Sequence, residues 1–330
     1  MYTAEQVKQA SLEYFHGDEL AANVFQTKYA LKNKQGEFLE KTPDDMHRRL
    51  AKEFARIELK YHNPLSEEEI YQTLKDFKFI VPQGSPMYGI GNPYNHVSLS
   101  NCVVISSPED NISSIMDSAR EQANLQKHRA GVGVDLSTLR PDGAIVNNSA
   151  ETSTGAWSFA DLYSYVCRMI GQNNRRGALM LTMDVRHPDI EKFITMKHDL
   201  TKVTGANISV KISDDFMKAA EKDLDFELRW PVDAVEPQYS KLIKAKELWN
   251  KLVESATKTA EPGLLMWDNI IKNLPAHCYP AFFTCSTNPC CFASSKNHWI
   301  LTKEGIKEIK SITRNDEVWV DSEKCWAKTG

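Results

Sequence analysis

The sequence predicts an α/β fold, preceded by a helical N-terminal part and followed by a short all-β tail. Three observations carry this. Between Leu99 and Thr259, short strand-like runs alternate with amphipathic helical stretches. Before residue 81 the apolar residues recur at helical spacing only. After residue 290 short apolar runs are separated by tight turns. The domains expected are residues 1–80, 81–290 and 291–330.

The 330 residues are 42% hydrophobic and 25% charged, an ordinary globular composition sufficient for a sizeable core. A net charge of −4 argues against a broad basic surface and direct nucleic-acid binding. No apolar run approaches the ~18 residues of a membrane span. The N-terminus lacks a basic-then-apolar signal, so no membrane association and a cytoplasmic location are expected. In that reducing compartment the seven cysteines are read as chemistry, metal or core filling. Cys167, in the apolar run Tyr165-Val166-Cys167, is read as packing.

In chain order, Thr3 with Gln6 and Ser66 with Glu69 form capping boxes, and Thr42-Pro43 fits an N-cap followed by a first-turn proline. Met46, Leu50, Phe54 and Ile57 then recur at helical spacing. Residues 81–93 are too dense in Gly and Pro for regular structure, and are expected as loop. Strands are predicted at Cys102–Ile105 (short and buried), Gly131–Val134, Leu179–Met183 and Asn207–Ile212. Helices are predicted after Asp110-Asn111 and over Trp157–Ile170, Pro188–Met196, Asp214–Ala220 and Leu248–Thr259. Such alternation implies a parallel sheet, with functional residues at the carboxyl ends of its strands. In the tail, Trp299–Thr302, Ile306–Ile309 and Glu317–Val320 read as short strands.

Six segments, in order, carry a resemblance. They are Ser100-Asn101-Cys102-Val103-Val104-Ile105, Arg129-Ala130-Gly131-Val132-Gly133-Val134-Asp135, Asn174-Arg175-Arg176-Gly177-Ala178-Leu179-Met180, Thr204-Gly205-Ala206-Asn207-Ile208-Ser209-Val210, Glu261-Pro262-Gly263-Leu264-Leu265-Met266-Trp267-Asp268 and Thr287-Asn288-Pro289-Cys290. Over residues 1–290 the chain resembles the large, catalytic subunit of ribonucleotide reductase. The resemblance implies a helical cap and the first half of a ten-stranded α/β barrel, with a finger loop that carries a radical cysteine. It implies reduction of ribonucleotides to 2′-deoxyribonucleotides. Cys290 would be the thiyl radical that abstracts the 3′-hydrogen, and Asn288 would bond the ribose hydroxyls. Cys102 would be one of two thiols that become a disulfide, its partner thiol lying in the second half-barrel. The general-base glutamate expected two residues after the radical cysteine is replaced by Phe292.

By the same resemblance Ser85, Asn101 and Gly131 would line the substrate site, the glycine because close backbone approach forbids a side chain. Asp110, Arg140 and Lys202 would belong to an allosteric site for a deoxynucleotide or ATP, at the interface of a homodimer. The loop from His198 to Ala206 would signal to the substrate base. The implied cofactor is adenosylcobalamin; the alternative is a radical from a metal-containing small subunit. A thioredoxin- or glutaredoxin-type reductant would recycle the thiols.

Read by residue type alone, Cys102 fills core, Asp110 is an N-cap, Arg140 is solvated and Asn288-Pro289 is a turn. His277, Cys278, Cys285 and Cys290 could be read as zinc ligands, but no Cys-x-x-Cys pair is present, and no metal site is expected.

Residues 291–330 resemble the N-terminal part of an intein: a leading Cys291, then Ile300-Leu301-Thr302-x-x-Gly305-x-x-x-Ile309 and Asp316-Glu317-Val318-Trp319. The Cys291 thiol would attack the carbonyl of Cys290 and convert the amide to a thioester. The intein motif of threonine with histidine three residues on does not occur before Gly330, which reads as a split intein. The implied partner carries the remaining intein and the second half-barrel, its reductase part beginning Ser-Glu. The alternative is a nucleotide-binding or assembly subunit that does not splice.

Overall fold

The computed structural model describes residues 1–170, 177–280 and 282–289, and the segments 299–302, 305–308, 317–320 and 325–328. The chain divides into two compact units. The first is Met1–Met266 with Thr284–Pro289; the second is Trp267–Phe283 with Cys290–Gly330.

The first unit begins with five helices: α1 (Ala4–Tyr14), α2 (Glu19–Val24, continued by a wider turn to Tyr29), α3 (Pro43–Glu58), α4 (Glu67–Leu74) and α5 (Gly84–Gly89). Both predicted capping boxes form. Gln6 N donates to Thr3 Oγ1 at 3.2 Å and Glu69 N to Ser66 Oγ at 3.2 Å, and each glutamine or glutamate side chain accepts the cap's own N–H. Val7, Phe25, Met46, Leu50, Ala51, Ile70 and Leu74 pack into one core. The expectation of loop over 81–93 is corrected by α5. Pro86 sits in its first turn, where a missing N–H leaves no helical bond unmade.

Five parallel strands follow, in the order β1-β2-β3-β4-β7: β1 (Cys102–Val104), β2 (Gly131–Asp135), β3 (Leu179–Asp184), β4 (Asn207–Ile212) and β7 (Gly263–Met266). Between them run α6 (Ile112–Lys127), α7 (Phe159–Met169), α8 (Ile190–Thr195), α9 (Asp214–Glu221) and α10 (Ala245–Thr259). The alternation read from the sequence therefore holds. Three details differ. β1 is an edge strand with Val104 exposed, not a buried one. A hairpin, β5 (Asp225–Trp230) with β6 (Tyr239–Lys244), was not anticipated, although Asp225-Phe226-Glu227-Leu228-Arg229-Trp230 alternates charged and apolar residues at the period of a half-buried strand. The edge strand β7 lay inside a recognised motif but was not read as a strand.

Val132 and Val134, then Leu179, Leu181 and Met183, then Ile208, Val210 and Ile212 point to one face and form the main core. The alternate residues point the other way. They are Gly131, Gly133, Asp135, Met180, Thr182, Asp184, Ser209 and Lys211. Parallel strands covered on both faces usually read as continuous apolar runs. Here one face is polar, and Thr284–Pro289 of the same unit lies on it. Cys167 is buried in the main core as expected, where its sulfur accepts from Gln126 Nε2 at 3.2 Å.

In the second unit, α11 spans Trp267–Asn273. Strands β8 (Trp299–Thr302), β9 (Gly305–Glu308), β10 (Glu317–Val320) and β11 (Cys325–Lys328) form an antiparallel sheet in the order β11-β10-β8-β9. All-β character in the tail agrees with the sequence reading, with β11 an addition. No helix among the described residues is long and apolar enough to cross a membrane.

Candidate functional site

The polar face of the sheet is built to carry a chain segment. A Cβ on Gly133 would lie 2.0 Å from the Thr287 carbonyl oxygen and 3.3 Å from Asn288 Cα. A Cβ on Gly131 would lie 2.8 Å from Pro289 Cγ and 3.0 Å from Cys102 Sγ. The two glycines therefore leave a bare groove along β2 for the backbone of residues 287–289. The sequence reading placed Gly131 beside a ligand; its open side is taken by Pro289 and Cys102.

Side chains from neighbouring strands fix the same segment. Lys211 Nζ pairs with Asp135 Oδ1 at 2.9 Å and donates to the Cys285 carbonyl at 3.2 Å. Thr182 Oγ1 donates to Asp135 Oδ1 at 3.0 Å and shares a 2.8 Å hydrogen bond with Ser286 Oγ. Ser137 Oγ also donates to Asp135, at 2.9 Å. Lys211, Asp135, Thr182 and Ser286 are all buried. Burial opposes ionisation of the neighbouring Asp184, but the Arg186 guanidinium and Lys211 outweigh it and hold its carboxyl below the usual carboxylate range.

Of the residues named from the sequence, Ser85, Asn101, Cys102 and Gly131 come together. Ser85 N donates to Asn101 Oδ1 at 2.8 Å, Gly131 N to the Asn101 carbonyl at 2.8 Å, and Cys102 pairs with Gly131 in register. The buried Ser85 hydroxyl is committed to the Arg129 carbonyl at 3.1 Å. Cys102 is in the disulfide form. Asn288 is exposed at the end of the same segment. Cys290, Cys291 and Phe292, and Asn174–Arg176 of the third motif, lie outside the described residues.

A second site forms where β2 gives way to loop. Arg140 Nε meets Asp110 Oδ2 at 2.6 Å and Arg140 N donates to Asp110 Oδ1 at 3.0 Å. Asn111, not Asp110, caps α6, which leaves Asp110 for the arginine. Both line a cleft of about 450 Å³, with Leu139, Asn148 and Phe159. The loop at its rim is braced from below. The Asp189 carboxylate accepts from Asp142 N at 3.0 Å and Ala156 N at 2.9 Å, and His187 bridges Asp189 N and the Leu139 carbonyl. Burial pushes the Asp189 carboxyl up and the His187 imidazole down, so the pair leans towards its neutral forms.

Lys202 is not among the residues lining this cleft; it is half-exposed and 4.0 Å from Asp199. Its loop is gripped by α7. Asp161 accepts from Val203 N at 3.0 Å, Ser164 Oγ from Gly205 N at 2.9 Å, and Arg168 Nη1 donates to Thr204 Oγ1 at 2.7 Å. Val203 is buried with φ +48°, a left-handed conformation that a β-branched residue adopts only when its surroundings impose it. Sequence reasoning found the loop but missed this clamp and the Asp135–Lys211–Thr182 cluster. The alternation Val-Asp, Leu-Thr-Met-Asp and Ser-Val-Lys-Ile along β2, β3 and β4 was the available signal for the cluster.

Comparison with known proteins agrees with this architecture. The family described as "Ribonucleotide reductase, all-alpha domain" matches residues 15–89, and "Ribonucleotide reductase, barrel domain" matches residues 100–295. A vitamin B12-dependent ribonucleoside-diphosphate reductase of Thermoplasma acidophilum is 29% identical over 329 residues, covering 82% of this chain and 42% of the relative. One of the same description from Mycobacterium tuberculosis is 30% identical over 263 residues, covering 77% and 36%. A ribonucleoside-diphosphate reductase large chain of Saccharomyces cerevisiae is 25% identical over 219 residues, covering 59% and 25%. The chain thus spans about two fifths or less of the length of these relatives. With both family descriptions matched in order, and with a helical part and a parallel sheet over the residues they match, the chain belongs to the ribonucleotide reductase family.

Proposed function

We propose that this chain is the N-terminal portion of a ribonucleotide reductase that converts ribonucleoside diphosphates to 2′-deoxyribonucleotides through a cysteine thiyl radical at Cys290. The observation that carries the reading is the path of Thr284–Pro289. It crosses the sheet over Gly133 and Gly131 and brings Pro289, the residue before Cys290, to the side of Gly131 that also faces the Cys102 sulfur. Substrate class and cobalamin are supported by the names of the Thermoplasma and Mycobacterium relatives. A triphosphate substrate and a radical from a metal-containing subunit are the alternatives.

The donor set fits such chemistry: a cysteine on the end strand, Cys102, here in the oxidised form that the reaction leaves, lies on the same side of Gly131 as the segment that leads to Cys290. Adenosylcobalamin, when bound, supplies the one-electron oxidation of a cysteine. This chain's residues hold the ribose and the thiols. Exposed Asn288 bonds the ribose hydroxyls, and Cys290 removes the 3′-hydrogen and later returns it. The 2′-hydroxyl leaves as water. Two electrons and two protons come from Cys102 and a thiol of the other half-barrel, which end as a disulfide. Asp110, Arg140 and their cleft take a deoxynucleotide or ATP effector.

Residues 291–330 act as the N-terminal part of a split intein, with Cys291 as the nucleophile. The four-stranded antiparallel sheet and the Ile300–Ile309 pattern support this. A partner chain carries the remaining intein and barrel and restores a glutamate in place of Phe292.

The completed protein is assayed with a ribonucleoside diphosphate, a dithiol, and either adenosylcobalamin or none. Deoxynucleotide formed only with the cobalamin is the expected result. No deoxynucleotide under either condition, with the partner present, overturns the reading.

A further inference from the structure

Two buried charges sit beneath the Thr284–Pro289 segment, and the chemistry described above uses neither. The side chains of Lys211 and Asp135 are 7% and 4% exposed. Taking both out of water costs several kcal/mol per ion, and their attraction offsets this only with good geometry and further hydrogen bonds. Those bonds are present. Asp135 accepts from Lys211, Thr182 and Ser137, and Lys211 donates to Asp135 and the Cys285 carbonyl.

An apolar pair would fill the same volume at lower cost. What apolar groups could not do is hold the next segment in register. Lys211 grips the Cys285 carbonyl and Thr182 the Ser286 hydroxyl, which are successive residues of the segment. The glycines of β2 permit the segment to approach, but, having no side chain, they offer no side-chain hydrogen bond that would stop it sliding. The polar cluster provides that stop, four to five residues before Cys290.

We infer that Lys211, with Asp135 and Thr182, forms a positioning cluster that sets the register of residues 284–289, and through it the place of the thiol that follows. The inference deepens the functional reading given above. Its core statement, that the cluster locks the segment, is testable without any turnover.

The test uses the full 330-residue chain. Amide hydrogen exchange is read over residues 284–288, Pro289 having no N–H, and alkylation of Cys285 by iodoacetamide is read beside that of buried Cys167. Exchange of the segment and labelling of Cys285 rise about tenfold or more in Lys211→Met, which loses a bond from a charged group, and about threefold or more in Thr182→Val, which loses a neutral hydroxyl bond to Ser286. Strands β3 and β4 and Cys167 stay protected. Lys211→Arg, which keeps a donor and a positive charge, restores most of the protection. Should Lys211→Met unfold the sheet, Thr182→Val decides, since it keeps the ion pair and the volume. Segment exchange unchanged from the parent chain in Thr182→Val overturns the inference. So does a Lys211→Arg protein as exposed as Lys211→Met. If the locking result holds while the completed protein reduces no nucleotide, the functional reading fails and the cluster remains.

Discussion

Gly133 and the Thr287 carbonyl are so close that a Cβ on the glycine would stand 2.0 Å from the oxygen. The obstacle is backbone, so no side-chain rotation relieves it. Gly133→Ala is therefore expected to destabilise the first unit by about 1–3 kcal/mol, as overpacked sites do. Urea unfolding reads the loss, and hydrogen exchange shows whether residues 284–289 lift from the sheet. An unchanged midpoint with a protected segment contradicts the geometry.

The N-terminal helical part carries an acid-sensitive group. His47 is fully buried, and neither ring nitrogen has a hydrogen-bond partner among the described residues. Phe77 packs edge-on against it at 4.5 Å. Burial pushes the imidazole below its ordinary value, against the opposing pull of Asp44 and Asp76. Unfolding releases the histidine to water, where it binds a proton more readily. Stability is therefore full above the unfolded value near 6.5 and is lost as pH falls below it, by at most about 1.4 kcal/mol per pH unit. His47→Phe flattens this dependence between pH 7.5 and 5.5 in denaturant titrations. An identical slope in parent and variant counts against the assignment.

Much of this architecture was legible in the sequence, and the exceptions share a cause. Capping boxes at Thr3 and Ser66 and strands β2 to β4 were readable, because each is specified by residues close in sequence; the segments around Cys102 and Pro289 were singled out only by the family resemblance. The pairing of Asp135 with Lys211 joins residues far apart in sequence, and a lysine in a strand reads as solvent-facing until its neighbour strands are known. Asp110 is a similar case. Taken locally it is an N-cap, whereas Asn111 takes that role and Arg140, thirty residues on, claims the carboxylate. Helix α5 was missed because Pro86 reads as a breaker unless its first-turn position is known.

The clamp between α7 and the loop that leads into β4 predicts a local effect. Asp161→Ala frees Val203 N, so the left-handed residue relaxes and the loop loosens. Amides of residues 201–206 are expected to exchange about tenfold faster while α7 itself stays protected. Equal exchange in parent and variant would show that Asp161 does not hold the loop.

The Asp110–Arg140 cleft is expected to bind deoxynucleoside triphosphates. Arg140→Ala removes the guanidinium that faces it and lowers affinity at least about tenfold by calorimetry, the loss of one charged hydrogen bond. Equal affinity in the parent and variant chains excludes this cleft as the effector site.

Splicing is followed by mass. On mixing with the partner, the chain is expected to lose residues 291–330 and form a longer ligated product. Cys291→Ala abolishes this. Retention of residues 291–330 in an active complex would favour the non-splicing alternative.

The account rests most heavily on the thiol at residue 290. The direct measurement is deoxynucleotide formation by the completed protein carrying Cys290→Ser, beside the parent. The account predicts turnover in the parent and none above background in the variant, with the fold and effector binding intact. Deoxynucleotide produced by the Cys290→Ser protein at the parental rate would contradict it.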